Sequence, residues 1–205
     1  MTTKPKKKTS HTAMPIKSLE ELMRWKRYIR DHYNQREYLF VELALDTGTF
    51  PASLLDLKWD DLKSEECDFP AVVRYYFLLP REIQSPQKYK HVISNRTFEL
   101  LKELRKQFPN DVYIFQTQSP NTSKKPPKPW SIAYIGRILR ESALAAGLKE
   151  TISPLTLRKS YGYHMVVHGT WTLRQLQQRF GQPRLSTTRK YINITNEPII
   201  EDSLD

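Results

Sequence analysis

"TLRKSYGYHMVVHGTWTLRQLQQRFGQPRLSTTRKYINIT", residues 156–195, is the stretch on which the reading of this chain turns. Ser153 and Pro154 just ahead of it make a cap and first-turn signal, and Gly169 supplies a stop, so the spacing predicts one helix carrying Arg158. Thr172 with Gln175 is a capping box opening "LRQLQQRF", Gly181 ends that helix, and "STTRKY" starts a last short helical turn closing on Tyr191. An arginine at the head and a tyrosine near the end therefore share one small helical unit. Such a pair serves either chemistry at the tyrosine hydroxyl or grip on an anion.

Working outward, "SIAYIGRILRESALAA" is an amphipathic helix closed by Gly147, and before it lies "QSPNTSKKPPKP", a basic, proline-rich loop with Lys124, Lys125 and Lys128. "DVYIF" reads as a short buried strand and "NRTFELLKELRKQF" as a helix. "AVVRYYFLLP" and "KYKHVIS" are rich in β-branched and aromatic residues and are separated by "REIQSPQ", as in an antiparallel hairpin. Toward the N-terminus, Pro51 opens a helix through "ASLLDLKW", "REYLFVELALDTG" is a helix stopped by Gly48, and the capping box Ser18–Glu21 opens another over about 18–33. The order helix, sheet, helix predicts an α+β fold, mostly helical, with a small antiparallel β-sheet. Residues 1–15, with Lys4, Lys6, Lys7 and Lys8, are expected to form a disordered basic arm, residues 16–195 one domain, and residues 196–205 an acidic tail with an apolar centre.

Of 205 residues, Lys and Arg total 33 against 22 Asp and Glu, a formal charge of +11 that favours a polyanionic partner such as nucleic acid, with an anionic membrane surface as the competing reading. No apolar run approaches the ~20 residues of a membrane span, and no apolar signal core follows the N-terminal lysines. A soluble protein, cytoplasmic and nucleoid-associated, is expected. Cys67 is the single cysteine, so no internal disulfide forms, and no Cys/His cluster has zinc spacing. The expectation is no metal and no cofactor. His164 and His168 stand at i, i+4 spacing, which two metal ligands would also share, but without a carboxylate or cysteine nearby in sequence His164 reads as a core or capping residue.

"LALDTGTFPASLLDLKWDDL" resembles the first box of the tyrosine recombinase (phage integrase) catalytic domain, through Thr47-Gly48, Leu54-Leu55, Leu57-Lys58-Trp59 and Asp61. The opening stretch resembles the second and third boxes, through Leu157-Arg158, His164, Gly169, Leu176, Gly181, Thr187-Thr188 and Tyr191. The resemblance spans about residues 16–195 and implies a mostly helical domain holding duplex DNA in a basic cleft, with the family's separate N-terminal clamping domain expected to be missing. It also implies a chemistry: a tyrosine attacks a phosphodiester, two arginines hold the phosphate, a lysine protonates the leaving oxygen and histidines assist.

Position by position, most of that set is replaced. The first arginine falls on Phe50, with Ser53 where an acidic residue is common; the hairpin lysine falls near Gln84 or Ser85; the second-box histidine or lysine falls on Leu155 and the third-box histidine or tryptophan on Gln182. Arg158 and Tyr191 remain as the candidate catalytic residues. A phosphoryl-transfer transition state gathers charge that a bidentate arginine meets best, and each lost charge-assisted contact costs roughly 3–4 kcal/mol. The reading that follows is a DNA-binding protein derived from a recombinase, an accessory or architectural factor of a plasmid, phage or other mobile element. Candidate DNA contacts are Arg158, Lys159, Lys88, Lys90, Lys124, Lys125, Lys128, Arg184, Arg189 and Lys190. The alternative is a divergent active recombinase or nicking enzyme using Tyr191, with Lys88, Lys90, Lys159 or His91 as substitutes. The tail, with Ile199 and Ile200 among Glu197, Glu201, Asp202 and Asp205, either docks on its own domain or on a second copy bound to DNA.

Overall fold

A computed structural model describes residues 13–67, 72–80, 88–118, 126–169 and 171–200. Helix α1 (Leu19–His32) is capped by the Ser18 hydroxyl, which accepts from the Glu21 N–H. Helix α2 (Gln35–Thr47) opens with a reciprocal box between Asn34 and Glu37 and closes on Gly48, whose φ of 62° lies in the left-handed region. That position demands glycine twice over, because a Cβ there would also sit 2.1 Å from the Tyr161 ring.

Pro51 does open α3 (Pro51–Leu55), but this helix is five residues long, shorter than the sequence predicts, and a 3₁₀ turn over Trp59–Asp61 follows. The cause is tertiary. The Leu57 carbonyl accepts from Ile114 and the Trp59 N–H donates to Val112, so the chain leaves the helix to bond a distant segment. The same bonds correct the expected strand at "DVYIF": it joins no sheet, makes an isolated bridge between Lys58 and Tyr113, and buries Ile114 and Phe115 in the core.

Strands β1 (Lys63–Cys67), β2 (Val72–Pro80) and β3 (Lys88–Ile93) form an antiparallel sheet in that order, with Phe77 opposite His91 and Leu78 opposite Lys90. β1 is absent from the sequence reading because "KSEEC" has neither β-branched residues nor alternation; it is a polar edge strand recruited by β2, with Glu65 opposite Arg74. Helices α4 (Asn95–Gln107), α5 (Ile132–Ala145), α6 (Pro154–Val167), α7 (Leu173–Phe180) and α8 (Leu185–Tyr191) complete the chain close to their expected places.

Two apolar clusters hold these elements. The larger surrounds α2, whose Leu39, Phe40 and Leu43 are fully buried with Trp25, Leu54, Phe77, Leu101, Phe115 and Leu139. The smaller joins Tyr161, Val166, Leu176, Phe180 and Ile192. Helix α6 gives Leu157 to the first cluster and Tyr161 to the second, so it ties the opening stretch to the rest. Gly162 permits this closeness, since a Cβ would lie 2.8 Å from Ile192 and 2.9 Å from Phe180.

The first and last described segments are both tied to the body. Ile16 donates its N–H to the Ser160 hydroxyl at 2.8 Å and accepts from His164 Nε2 at 2.8 Å, which makes His164 a half-buried structural donor. Pro15 and Ile16 are buried, so the body reaches at least to Pro15; residues 1–12 lie outside the described residues. At the other end Ile199 packs on the smaller cluster and Glu197 meets Lys17 at 2.5 Å. The described part of the tail thus docks on its own domain. Among the described residues no helix is long and apolar enough to cross a membrane, and no group of three or more His, Cys, Asp or Glu is placed to hold a metal.

Candidate functional site

The expected pair meets where α6 crosses the C-terminal ends of α2 and α7. Arg158 is 3 % exposed. One of its terminal nitrogens donates to the Gly48 carbonyl at 2.6 Å and the other to the Phe180 carbonyl at 3.3 Å. Those carbonyls close α2 and α7, where the helix dipole leaves partial negative charge, so a single guanidinium caps two helices. Its faces are covered as well, by the Phe50 ring at 4.0 Å and the Phe180 ring at 3.9 Å. Phe50, standing where the resemblance expects an arginine, thus supplies a π-face to the arginine that remains. Burial pushes the Arg158 guanidinium down to about 10, against the opposing pull of Tyr191, and leaves it charged at neutral pH.

Tyr191 sets its ring edge-on to Phe180 at 5.8 Å, and the Lys159 ammonium lies 4.8 Å from the Tyr191 ring centre. The Tyr191 hydroxyl is buried beside the Arg158 guanidinium, its side-chain hydrogen-bond partner. Burial raises its pKa, while the nearby Arg158 charge pulls the other way. A phenol held above 10 is a weak nucleophile at neutral pH. Lys159, expected at the DNA surface, is instead 6 % exposed, and burial lowers its pKa. Its charge is spent on the ring because the α6 face that carries it turns toward α8.

The structure adds a group that the sequence reading passed over. Arg179, on the last turn of α7, donates to the Lys90 carbonyl at 3.0 Å, to the Thr47 carbonyl at 3.1 Å and to His91 Nδ1 at 2.9 Å. Since a guanidinium only donates, Nδ1 accepts, which puts the His91 proton on Nε2; the Thr49 hydroxyl, 2.9 Å from Nδ1, shares the same lone pair. Burial, reinforced by the Arg179 and Arg158 charges, drives His91 down to about 3, so it is neutral at physiological pH. In "LRQLQQRF" Arg179 looks like any helix-surface arginine. Its only local signal is its place just before Phe180-Gly181, and only the docking of α7 turns it inward.

The remaining candidates divide by position. Lys88 and Lys90 are exposed on β3, where Lys90 pairs with Glu65 and lies 4.5 Å from the Tyr76 ring centre. Arg184, Arg189 and Lys190 are exposed at the start and along the outside of α8. Lys128 is not brought to this cluster: it lines a cavity with Asn34, Arg36 and Trp130 at the opposite end of α2, a 13-residue helix, which puts it about 20 Å away. Leu155 is 42 % exposed at the start of α6, and Gln182 is half-buried, its carbonyl accepting from the Gln177 side chain at 3.0 Å. Lys124, Lys125, Gln84 and Ser85 lie outside the described residues.

A mostly helical domain with a three-stranded antiparallel edge sheet, and with an arginine and a tyrosine meeting on its C-terminal helical unit, has the architecture of a tyrosine recombinase catalytic domain. The Phage integrase family matches residues 12–197, and the chain belongs to that family. "Probable integrase/recombinase YoeC" of Bacillus subtilis (strain 168) is 28 % identical over 187 residues, covering 91 % of this chain and 93 % of that protein. Among solved structures, XerA recombinase aligns with a TM-score of 0.65 at 18 % identity, over 89 % of this chain and 62 % of its own. XerH bound to palindromic difH in a post-cleavage complex gives 0.67 at 20 % identity, over 90 % and 51 %. The chain therefore spans between half and two thirds of these solved recombinases, and at such identities they speak to fold.

Proposed function

We propose that this chain is a duplex-DNA-binding member of the family that no longer cleaves DNA, acting as an accessory or architectural factor of a plasmid, phage or other mobile element. One observation supports the loss of cleavage: Phe50, where the resemblance expects the first arginine, stacks on Arg158, two of whose N–H groups are turned to the Gly48 and Phe180 carbonyls. A phosphate in the cleft would meet only the N–H groups that those contacts leave over, with no second arginine from residue 50 beside them. In this reading DNA is gripped by the exposed cations Lys88, Lys90, Arg184, Arg189 and Lys190, while Arg158 and Lys159 hold the fold and add to the positive field. Some solved structures of this fold are named as DNA complexes, the Tn1549 transposon integrase with transposon right end DNA among them, and the formal charge of +11 supports the same partner here. Localisation on the nucleoid follows from that partner. Self-association on DNA through the tail belongs to the same proposal; a second copy would have to displace the Lys17–Glu197 pair and the packing of Ile199.

A DNA duplex carrying a suicide nick tests the reading. Incubation should leave no SDS-resistant protein–DNA adduct, and Tyr191→Phe should bind DNA within about twofold of wild type. An adduct lost in Tyr191→Phe would establish the second reading, a divergent strand transferase. What favours that alternative is the placement of Tyr191 between the Arg158 and Lys159 charges.

A further inference from the structure

Two banks of exposed cations flank the site: Lys88 and Lys90 on β3, and Arg184, Arg189 and Lys190 on α8 and its approach. They sit on elements with different cores, the sheet belonging to the larger cluster and α8 to the smaller. Arg179 bridges them. From α7, which turns through Gly181 toward α8, it reaches the β3 backbone at Lys90, the His91 ring and the end of α2 at Thr47. Arg158 takes the next carbonyl along, that of Gly48. Consecutive carbonyls at the end of α2 are thus held by guanidiniums from two different helices, although residue 50 itself is phenylalanine.

We propose that Arg179 is a positioning residue for DNA contact, locking β3 to the α2 and α7 ends so that the lysines of β3 and the cations of α8 meet one duplex at a fixed spacing. The inference rests on the DNA-binding reading above. Its physical content is geometric. A duplex is stiff, so two banks of charge engage it together only if their separation is fixed before binding; a mobile bank gives up part of its contacts or loses entropy on docking. A planar guanidinium suits the task, because it sends rigid forked donors to three acceptors at once, whereas an ammonium on a flexible stem cannot hold all three. The neutral His91 completes the lock by offering a lone pair to both Arg179 and Thr49.

The test titrates the full chain against a short mixed-sequence duplex over a range of salt concentrations, for wild type, Arg179→Lys, His91→Leu and the double variant, with thermal melting alongside. Arg179→Lys keeps the charge and should still lose about 5- to 10-fold in affinity, the scale of one or two net hydrogen bonds, with a shallower salt dependence as β3 contacts slip. His91→Leu removes no charge at neutral pH and should weaken binding in the same direction. The double variant should be no weaker than the worse single, because both break one lock. Should Arg179→Lys fail to fold, His91→Leu and Thr49→Val carry the same expectation of weaker binding. Arg179→Lys with wild-type affinity would overturn the proposal, since charge alone would then suffice; so would a lowered melting temperature with unchanged affinity, or additive losses. A wild-type chain that did not bind the duplex at all would overturn the DNA-binding reading itself.

Discussion

Arg36 and Arg158 are both 3 % exposed and sit at opposite ends of α2, yet their surroundings differ in kind. Arg36 meets the Asp111 carboxylate at 2.6 Å and the Gln116 carbonyl at 2.6 Å, with its guanidinium 4.1 Å from the Phe108 ring centre. Its charge is neutralised where it is buried. Arg158 meets two helix-end carbonyls and two ring faces, and Arg179 stands near enough to lower its pKa. One end of α2 is a closed structural knot; the other gathers like charge. Accumulated positive charge under a protein surface is costly to maintain and raises the local potential for anions, which is why the second end, and not the first, is read as functional.

The contrast breaks most visibly through Arg36. Arg36→Met leaves the half-buried Asp111 carboxylate with only the Gln116 and Gln118 amides as donors and should destabilise the fold by about 2–4 kcal/mol in urea unfolding, while the folded fraction binds DNA as wild type does. A loss below about 1 kcal/mol would remove the structural half of the comparison. Gly48→Ala comes next. It forces a side chain into left-handed backbone and against Tyr161, moving the acceptor of Arg158, and should cost about 2–4 kcal/mol by the same measurement.

Arg158→Met sharpens the other half. Orphaning the Gly48 and Phe180 carbonyls should cost about 1–3 kcal/mol of stability. Because Arg158 points inward, the slope of log K against log salt for DNA binding should stay unchanged, whereas Arg189→Ala, on the exposed face of α8, should lower it by about 0.9. A slope that fell equally in Arg158→Met would show the buried guanidinium swinging out to a phosphate. The smallest effect belongs to the tail. Lys17 holds Glu197 down to about 2, below its ordinary 4.5, so the stability it confers is complete above pH 4.5 and is lost as pH falls toward 2. Glu197→Gln should erase that part of the acid limb, worth about 1 kcal/mol for a half-buried pair at the surface, as thermal melts from pH 2 to 7 would report.

Much of the fold was legible because its signals are local. Ser18, Thr172, Gly48 and Gly181 act on backbone groups within a turn, and the helices they bound fall where those signals stand. β1 was not legible, since "KSEEC" pairs only because β2 offers an open edge, nor was the early end of α3, which a bond from the Ile114 N–H to the Leu57 carbonyl enforces. The candidate site divides in the same way. Arg158 and Tyr191 were legible through spacing, while the inward turn of Lys159 and the reach of Arg179 depend on how α6, α7 and α8 pack.

By itself, then, the sequence determined the helical unit, the hairpin and the basic balance, and it put Phe50 where the resemblance expects an arginine, all written in residue types and short spacings. Only the tertiary structure decided that Phe50 would stack on Arg158, that Lys159 would face Tyr191, and that Arg179 would join β3 to α2. Those outcomes depend on contacts between residues far apart in the chain, up to 132 positions for Arg179 and Thr47, and the direction of a long side chain is set by the surface against which its helix packs.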